Sequence, residues 1–307
     1  MHIQSQIPFH RCLLSLGIVA SPTRGSSAGS GGTNSLPPPD SRTCSQTPYP
    51  YDAYAPLLSL TRATGKCRER AALHRLDALL GEIIRARDAA GSQRGDFLDQ
   101  IRAAWSDTGG VAREQGVARD VVLIHLGAQS NLYAAVAWTL VNLLLHPELL
   151  ARVEAGDDDL LERAASESIR LAQRSLTLRQ VMKPLDFDDG ARRYQLAPGV
   201  LIATMLSVTN ASAAPDLARF DPDHYEGRRL AKRIEVPARE LVSTLGHCRH
   251  ACPAQRFSIS AIRVSLRGRL ERFELTPMFR SAQPRARQLG AVARAARPCV
   301  VAYRSRR

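Results

Sequence analysis

The chain has 307 residues and a mass of 33.6 kDa; 44% of its residues are hydrophobic, 23% charged and 5% aromatic. That is enough chain to bury a real core, which excludes collagen-like and wholly disordered classes. Its 42 basic against 29 acidic residues leave a net charge of +13, and residues 263–307 hold twelve arginines against Glu271 and Glu274, so +10 of the excess lies in a C-terminal patch. Such a patch suits nucleic acid, a membrane surface or an acidic protein partner. Six cysteines (Cys12, Cys44, Cys67, Cys248, Cys252, Cys299) are scattered with no Cys-x-x-Cys, which argues against a disulfide-stapled secreted scaffold.

The apolar run from Cys12 to Ala20 is about half the length a bilayer span needs, and His2, His10 and Arg11 make a weak start for a signal peptide. Residues 21–50 contain 7 Ser, 4 Gly, 6 Pro and 4 Thr, too little apolar surface to offset ordering entropy, so residues 1–67 are read as a disordered segment. Structure is expected to begin near Arg68. Leu73, Leu76, Leu79, Leu80, Ile83 and Ile84 form a helical stripe ending by Gly91, and a shorter amphipathic helix covers 95–106. A long helix is predicted from about Arg119 to His146. Its 25 residues from Val121 to Leu145 carry no Asp, Glu, Lys or Arg, yet His125, Gln129, Ser130, Asn131 and Asn142 interrupt them. A core helix with a polar kink facing a cavity explains the pattern better than a membrane span.

Pro147 opens the next helix, and Asp157-Asp-Asp159 caps another that reaches about Gln173. Short strands are predicted within 176–204, with a turn at Asp188-Asp-Gly190; a loop-rich passage, 210–250, leads to a helix over about 253–272. The tail, 273–303, reads as strands and turns. The fold class is mainly α with small β-sheets.

Three motifs stand out. Glu167-Ser-Ile-Arg170 places an acid and a base on one helix face, a pattern common on solvated helices. Phe220-Asp-Pro-Asp-His-Tyr225 can pin a loop onto a core, with His224 able to donate to a buried carboxylate. Leu245-Gly-His-Cys-Arg-His-Ala-Cys-Pro-Ala-Gln-Arg-Phe-Ser258 brings a cysteine to a helix start beside Arg249 and Arg256, a setting that favours thiolate. Cys248, Cys252, His247 and His250 lie within six residues and lack a distant second pair, which argues against zinc.

In this order and at these distances the motifs resemble the cytochrome P-450 family over roughly residues 70–307. The resemblance implies a P-450-like fold, a haem-binding domain over 68–307, and haem b (iron protoporphyrin IX) with Cys252 as axial thiolate ligand. By the same resemblance His250 and Arg179 contact propionates, and Leu245 and Ala254 frame the cofactor. Glu167, Arg170 and His224 form the clamp behind the cysteine loop. The histidine there is similar to the sterol-demethylase branch. Gly127-Ala-Gln-Ser-Asn131 takes the place of the oxygen-binding kink. Ser130 and Asn131 stand where the family has an acid and a threonine; Ala128, Leu176, Thr177 and Leu178 fall at pocket positions. Asn131 cannot titrate, so any proton relay runs through water. A similar Gln-x-Asn occurs in the branch of prostacyclin synthase and the bile-acid-forming sterol hydroxylases.

Two departures are informative. Leu245 replaces the family's Phe, and Cys248 replaces a glycine that often adopts a conformation costing a side chain about 1–2 kcal/mol. The N-terminal part of the family, which builds the main sheet and much of the pocket, has no counterpart in residues 1–65, so the resemblance is to an N-terminally truncated member. What it implies is a haem-thiolate monooxygenase acting on a small apolar organic substrate, with electrons from an acidic ferredoxin or flavodoxin-like reductase docking near Arg249, Arg256 and Arg263. The alternatives are an isomerase or dehydratase on a peroxide substrate, or a non-catalytic remnant. No recognition helix, zinc module or aromatic-basic sheet motif accompanies the arginines, so neither a nucleic-acid partner nor a membrane span is expected; the expected location is cytoplasmic.

Overall fold

The computed structural model describes residues 20–22 and 67–306. Of these, 67–129 fall in one compact unit, and 20–22 with 130–306 in another.

In the smaller unit, α1 (Cys67–Ala89) and α2 (Phe97–Ala104) precede α3 (Gly110–Leu145), which supplies residues to both units. The Asp96 side chain caps α2 by accepting from Asp99 N, and Arg87 holds the Asp96 carboxyl down to about pH 2 by a side-chain hydrogen bond. Gly116 sits in mid-helix because the Trp105 ring lies over it: a Cβ there would meet the ring at 2.5 Å. Trp105 Nε1 in turn donates to Asp120 (2.8 Å). Ile84, Ile101 and Val117 are the buried apolar cluster of this unit, while Leu73, Leu76, Leu79 and Ile83 of the predicted stripe are exposed.

α3 begins at Gly110, nine residues before its predicted start. Glycines at 109 and 110 end the preceding loop, and Val117 and Ala118 are already fully buried in the helix. The predicted polar kink is not seen as a break: the helix runs unbroken through Gly127–Asn131. Its backbone groups stay paired along the helix, and the Asn131 amide reaches sideways instead, accepting from Val292 N at 3.0 Å. By length and composition α3 is apolar enough to cross a bilayer. Its C-terminal half, from Ala134 to Leu144, is the central element of the larger unit's core.

That core packs α3 against α4 (Pro147–Glu154), α5 (Asp158–Ala172) and α7 (Gln255–Leu270), with Leu143, Leu161, Ile259, Ile262 and Leu266 fully buried. Pro147 occupies the first turn of α4, and Asp157 caps α5 by accepting from Leu160 N (2.9 Å), as the sequence predicts. Asp158 ties α5 to α7 by accepting from Arg263 (3.0 Å) and from Arg267 Nε (3.1 Å).

The β part is a set of small sheets. β2 (Leu176–Gln180) pairs antiparallel with β5 (Leu201–Met205), with Leu176 opposite Met205. β3 (Leu185–Asp188) and β4 (Arg193–Leu196) form a hairpin around the predicted turn. α6 (Leu206–Ser212) follows β5 directly. The passage that reads as loop is built of 3-10 turns and the short hairpin β6 (Tyr225–Glu226) with β7 (Arg229–Leu230). β8 (Phe273–Pro277) pairs antiparallel with β9 (Val301–Ser305). Ala20–Pro22 of the segment read as disordered forms β1, parallel to β9 and in register from Ala20 opposite Val301. Strand pairing on an open edge uses main-chain groups alone, so composition did not reveal it. The apolar run Cys12–Val19 and the Ser/Gly/Pro/Thr-rich stretch beyond Pro22 lie outside the described residues.

Candidate functional site

The site is built from α5 outward. Glu167 and Arg170, three residues apart on one face, point into the unit and are wholly buried. Two buried charges survive only if their hydrogen-bonding capacity is filled, and here it is. Arg170 Nε and Nη2 donate to the two Glu167 oxygens (2.7 and 2.5 Å). Nη1 donates to Leu217 O (2.7 Å) and to Asn210 O, and Nη2 also reaches Arg219 O (3.3 Å). All five guanidinium hydrogens thus have acceptors. Glu167 Oε1 further accepts from Asp221 N (3.1 Å) and from His224 Nδ1 (3.0 Å), so that nitrogen carries the proton. The three side chains therefore gather α6, the turn at Pro215–Ala218 and the turn at Pro222–His224 around the end of α5.

The predicted clamp residues Arg170 and His224 are thereby joined through the Glu167 carboxylate. A second layer, invisible in the sequence, connects them to the cysteine loop. The Asn210 amide donates to Arg170 O and Ser243 O (both 2.9 Å) and accepts from Ser243 N (2.7 Å). Gln173, at the end of α5, donates to Thr244 O (3.1 Å), and buried Tyr225 hydrogen-bonds to Thr244 Oγ1. Burial pushes the Tyr225 phenol far above its ordinary range, so it stays protonated. Nothing in the spacing of Asn210 or Ser243 marks them, because each reaches its partner across more than thirty residues of chain.

The loop itself turns at Gly246 (φ +82°), where a Cβ would fall 2.1 Å from His250 O, so only glycine fits. Gly246 N donates to Ser243 Oγ (3.2 Å), and His247 Nε2 is bonded to Val242 O (2.9 Å). Cys248 takes φ +49°, the left-handed conformation expected where the family carries glycine. Cys252 N donates to Leu245 O (2.6 Å), closing the loop, and Cys252 O accepts from Gln255 N at the start of α7. The Leu245 side chain packs on the main core. Cys252 is a free, half-buried thiol, and Ala254 is the N-cap residue of α7.

The remaining predicted residues are distributed differently. His250 and Arg179 are exposed; the Arg179 guanidinium donates to its neighbour's carbonyl, Leu178 O (2.9 Å). Leu176 and Leu178 are exposed on one face of β2, and Thr177 is half-buried on the other. Ser130 is half-buried on α3 next to Asn131, which the Val292 backbone holds. Ala128 lies on the part of α3 that belongs to the smaller unit. Arg263, expected on a docking surface, is ion-paired with Asp158 and Glu162 (3.0 and 3.3 Å) and partly exposed, and Arg256 is exposed. An open depression lined by Asp159, Arg163, Asp221, Asp223 and Arg233 flanks the clamp, but its polar lining does not suit an apolar substrate.

The donor chemistry fits a haem iron on the thiolate side. The half-buried, free Cys252 sulfur stands at the end of a closed loop, before a helix start, on a loop anchored by a fully satisfied buried ion pair, while Cys248 of the same loop is exposed. Among the described residues no group of three or more His, Cys, Asp or Glu is placed to hold a metal ion.

No protein-family model matches the chain. Over 243 residues it is 28% identical to the Mycobacterium tuberculosis protein named cytochrome P-450 135B1, an alignment covering 72% of this chain and 47% of the relative. It is 26% identical over 221 residues to cyclooctat-9-en-7-ol 5-monooxygenase of Streptomyces melanosporofaciens, covering 66% and 47%. A sterol 14alpha-demethylase of Mycolicibacterium vanbaalenii is 28% identical over 193 residues, covering 55% and 40%. The chain thus spans about half the length of these relatives. Among solved structures, the haem domain of cytochrome P-450DA superposes with a TM-score of 0.60 at 21% identity, covering 75% of this chain and 53% of that one. The fold is therefore that of a P-450 haem domain, and the relatives that the sequence resembles carry cytochrome P-450, monooxygenase and sterol-demethylase names.

Proposed function

We propose that the protein is a haem-thiolate oxidoreductase, a monooxygenase that inserts one oxygen atom from dioxygen into a small apolar organic substrate. The observation that carries this reading is the fully hydrogen-bonded Glu167–Arg170–His224 clamp, joined through Asn210 and Ser243 to the loop that ends at Cys252. Haem b, when bound, supplies the oxidative chemistry, with a thiolate ligand raising electron density at the iron. Cys252 is the ligand. The Cys252 N–Leu245 O bond fixes the backbone that carries its sulfur, on a loop that the clamp anchors. His250 and Arg179 are the propionate contacts, both with exposed side chains able to turn toward a carboxylate. Leu245 and Ala254 frame the cofactor; Leu176, Thr177 and Leu178 line the substrate side. Arg256 meets the acidic ferredoxin or flavodoxin-like reductase that supplies electrons, in the cytoplasm.

A second reading has its own support. Asn131 cannot exchange a proton at neutral pH, and its amide oxygen already accepts from Val292 N. That residue serves an isomerase or dehydratase acting on a peroxide, which needs no delivered proton or electrons, as well as it serves a monooxygenase. Turnover without any reductant separates the two.

The test is the carbon-monoxide difference spectrum of the haem-supplemented, dithionite-reduced chain beside its Cys252→Ser variant. A thiolate-type Soret band in the parent, lost in the variant, is expected. No haem uptake, or a band unchanged in Cys252→Ser, overturns the assignment; the former result would mark a non-catalytic remnant.

A further inference from the structure

Asn210 belongs neither to the clamp motif nor to the cysteine loop, yet it is 1% exposed and bonded to both. Its Nδ2 donates to Arg170 O on α5 and to Ser243 O at the entry to the loop (both 2.9 Å), and its Oδ1 accepts from Ser243 N (2.7 Å). Its own carbonyl accepts from the Arg170 guanidinium. Ser243 passes the contact on: its Oγ accepts from Gly246 N (3.2 Å), at the glycine whose left-handed turn starts the loop that Cys252 N closes onto Leu245 O (2.6 Å). We propose that Asn210 is a positioning residue, an amide strut that transmits the placement of the buried Glu167–Arg170 pair through Ser243 to the Cys252 loop.

The chemistry explains the residue type. The site asks one short side chain to donate twice and accept once, which an amide does and neither a carboxylate nor an aliphatic side chain can. An unmade bond in so buried a place is not replaced by water, so the loop would shift rather than tolerate the vacancy. Gln173 and Tyr225 hold neighbouring Thr244 independently, so losing the strut should loosen the loop without dissolving it. The functional meaning of the strut rests on Cys252 being the thiolate ligand; the strut itself does not.

The test therefore reads the loop without haem. The full-length chain is alkylated with iodoacetamide, and the rates at Cys252 and at buried Cys299 are followed separately by mass spectrometry. In Asn210→Asp, which keeps the size and the acceptor for Ser243 N but loses both donors, Cys252 should react at least about fivefold faster, with Cys299 within about twofold of the parent. Ser243→Ala leaves the strut's backbone bonds and removes the acceptor for Gly246 N; a two- to threefold rise at Cys252 is expected. Asn142→Ala breaks a comparable amide contact, to Ser168 Oγ (2.9 Å), that does not lead to the loop, and should change nothing at Cys252. Cys252 rates at the parental level in both Asn210→Asp and Ser243→Ala overturn the proposal, as does an equal rise in Asn142→Ala. If Asn210→Asp unfolds, seen as equal acceleration at Cys299, Ser243→Ala alone decides. A parent chain that shows no thiolate haem spectrum defeats the functional reading while leaving this result standing, and the converse holds.

Discussion

Arg170 shows how much one side chain can organise when its donors are all directed. It is the largest fully buried side chain in the described structure, and its acceptors come from three separate stretches of chain. Removing one partner of such a pair strands the other, at a cost of about 3–5 kcal/mol. Glu167→Gln and Arg170→Lys should both fall in that range by urea denaturation, since lysine offers three donors where five are used and cannot form the fork. The cysteine loop holds a smaller strain of the opposite sense. Cys248 is exposed and left-handed, so Cys248→Gly relieves backbone strain without losing packing and should stabilise by about 0.5–1 kcal/mol. Gly246→Ala is the contrast: its Cβ would collide with His250 O, and a loss above about 2 kcal/mol is expected in the same titration.

At the scale of elements, the α5–α7 packing carries a pH dependence. Hydrogen bonds from Arg267, and then from Arg263, hold the Asp158 carboxyl below its ordinary value, and the Leu160 amide does the same for Asp157 at the cap. A carboxyl depressed in the folded state contributes stability that is complete above the unfolded value, about pH 3.9, and is lost as pH falls through the folded value. Asp158 is partly exposed, so solvent limits the effect. Asp158→Asn should lower the melting temperature by about 1–3 °C at pH 7. The gap to the parent should close as the pH drops below about 4; a gap constant from pH 7 to 3 would show that packing, not charge, is what the substitution removes. The β elements behave differently. Leu176 and Leu178 on β2, with Leu201 and Met205 on β5, present an apolar face, whereas α5 and α7 bury theirs.

For the whole molecule, the division of apolar burial sets the order of opening. The unit containing 130–306 has a continuous core from Ala134 to Val301, while the unit containing 67–129 rests on Ile84, Ile101 and Val117 and a lattice of exposed or half-exposed ion pairs around Arg87, Asp88 and Arg102. Segments with few buried contacts open at lower free energy. Amides of α1 and α2 should therefore exchange at least about tenfold faster than those of α5 and α7 in hydrogen-exchange mass spectrometry. Equal protection would mean that both units open together.

The helices starting at Pro147, at Asp158 and near Pro253, the Asp157 cap and the turn at Asp188–Gly190 could be read from the residues, because each is fixed by interactions within a few positions along the chain; the short helix Leu206–Ser212 could not, and the left-handed place of Cys248 came from the family resemblance. The motif order likewise pointed to the clamp and the cysteine loop before any contact was known. Where the chain must be closed on itself, local pattern had nothing to register. The early start of α3 depends on Val117 and Ala118 finding a place to bury; the unbroken path through Gly127–Asn131 depends on a partner for Asn131 at Val292. Asn210 and Ser243 become a connection only when residues thirty-three apart meet, and the pairing of Arg263 with Asp158 spans 105 positions. Short-range sterics and hydrogen bonds name the elements. Which buried polar group satisfies which depends on long-range proximity, and that exists only once the core has assembled.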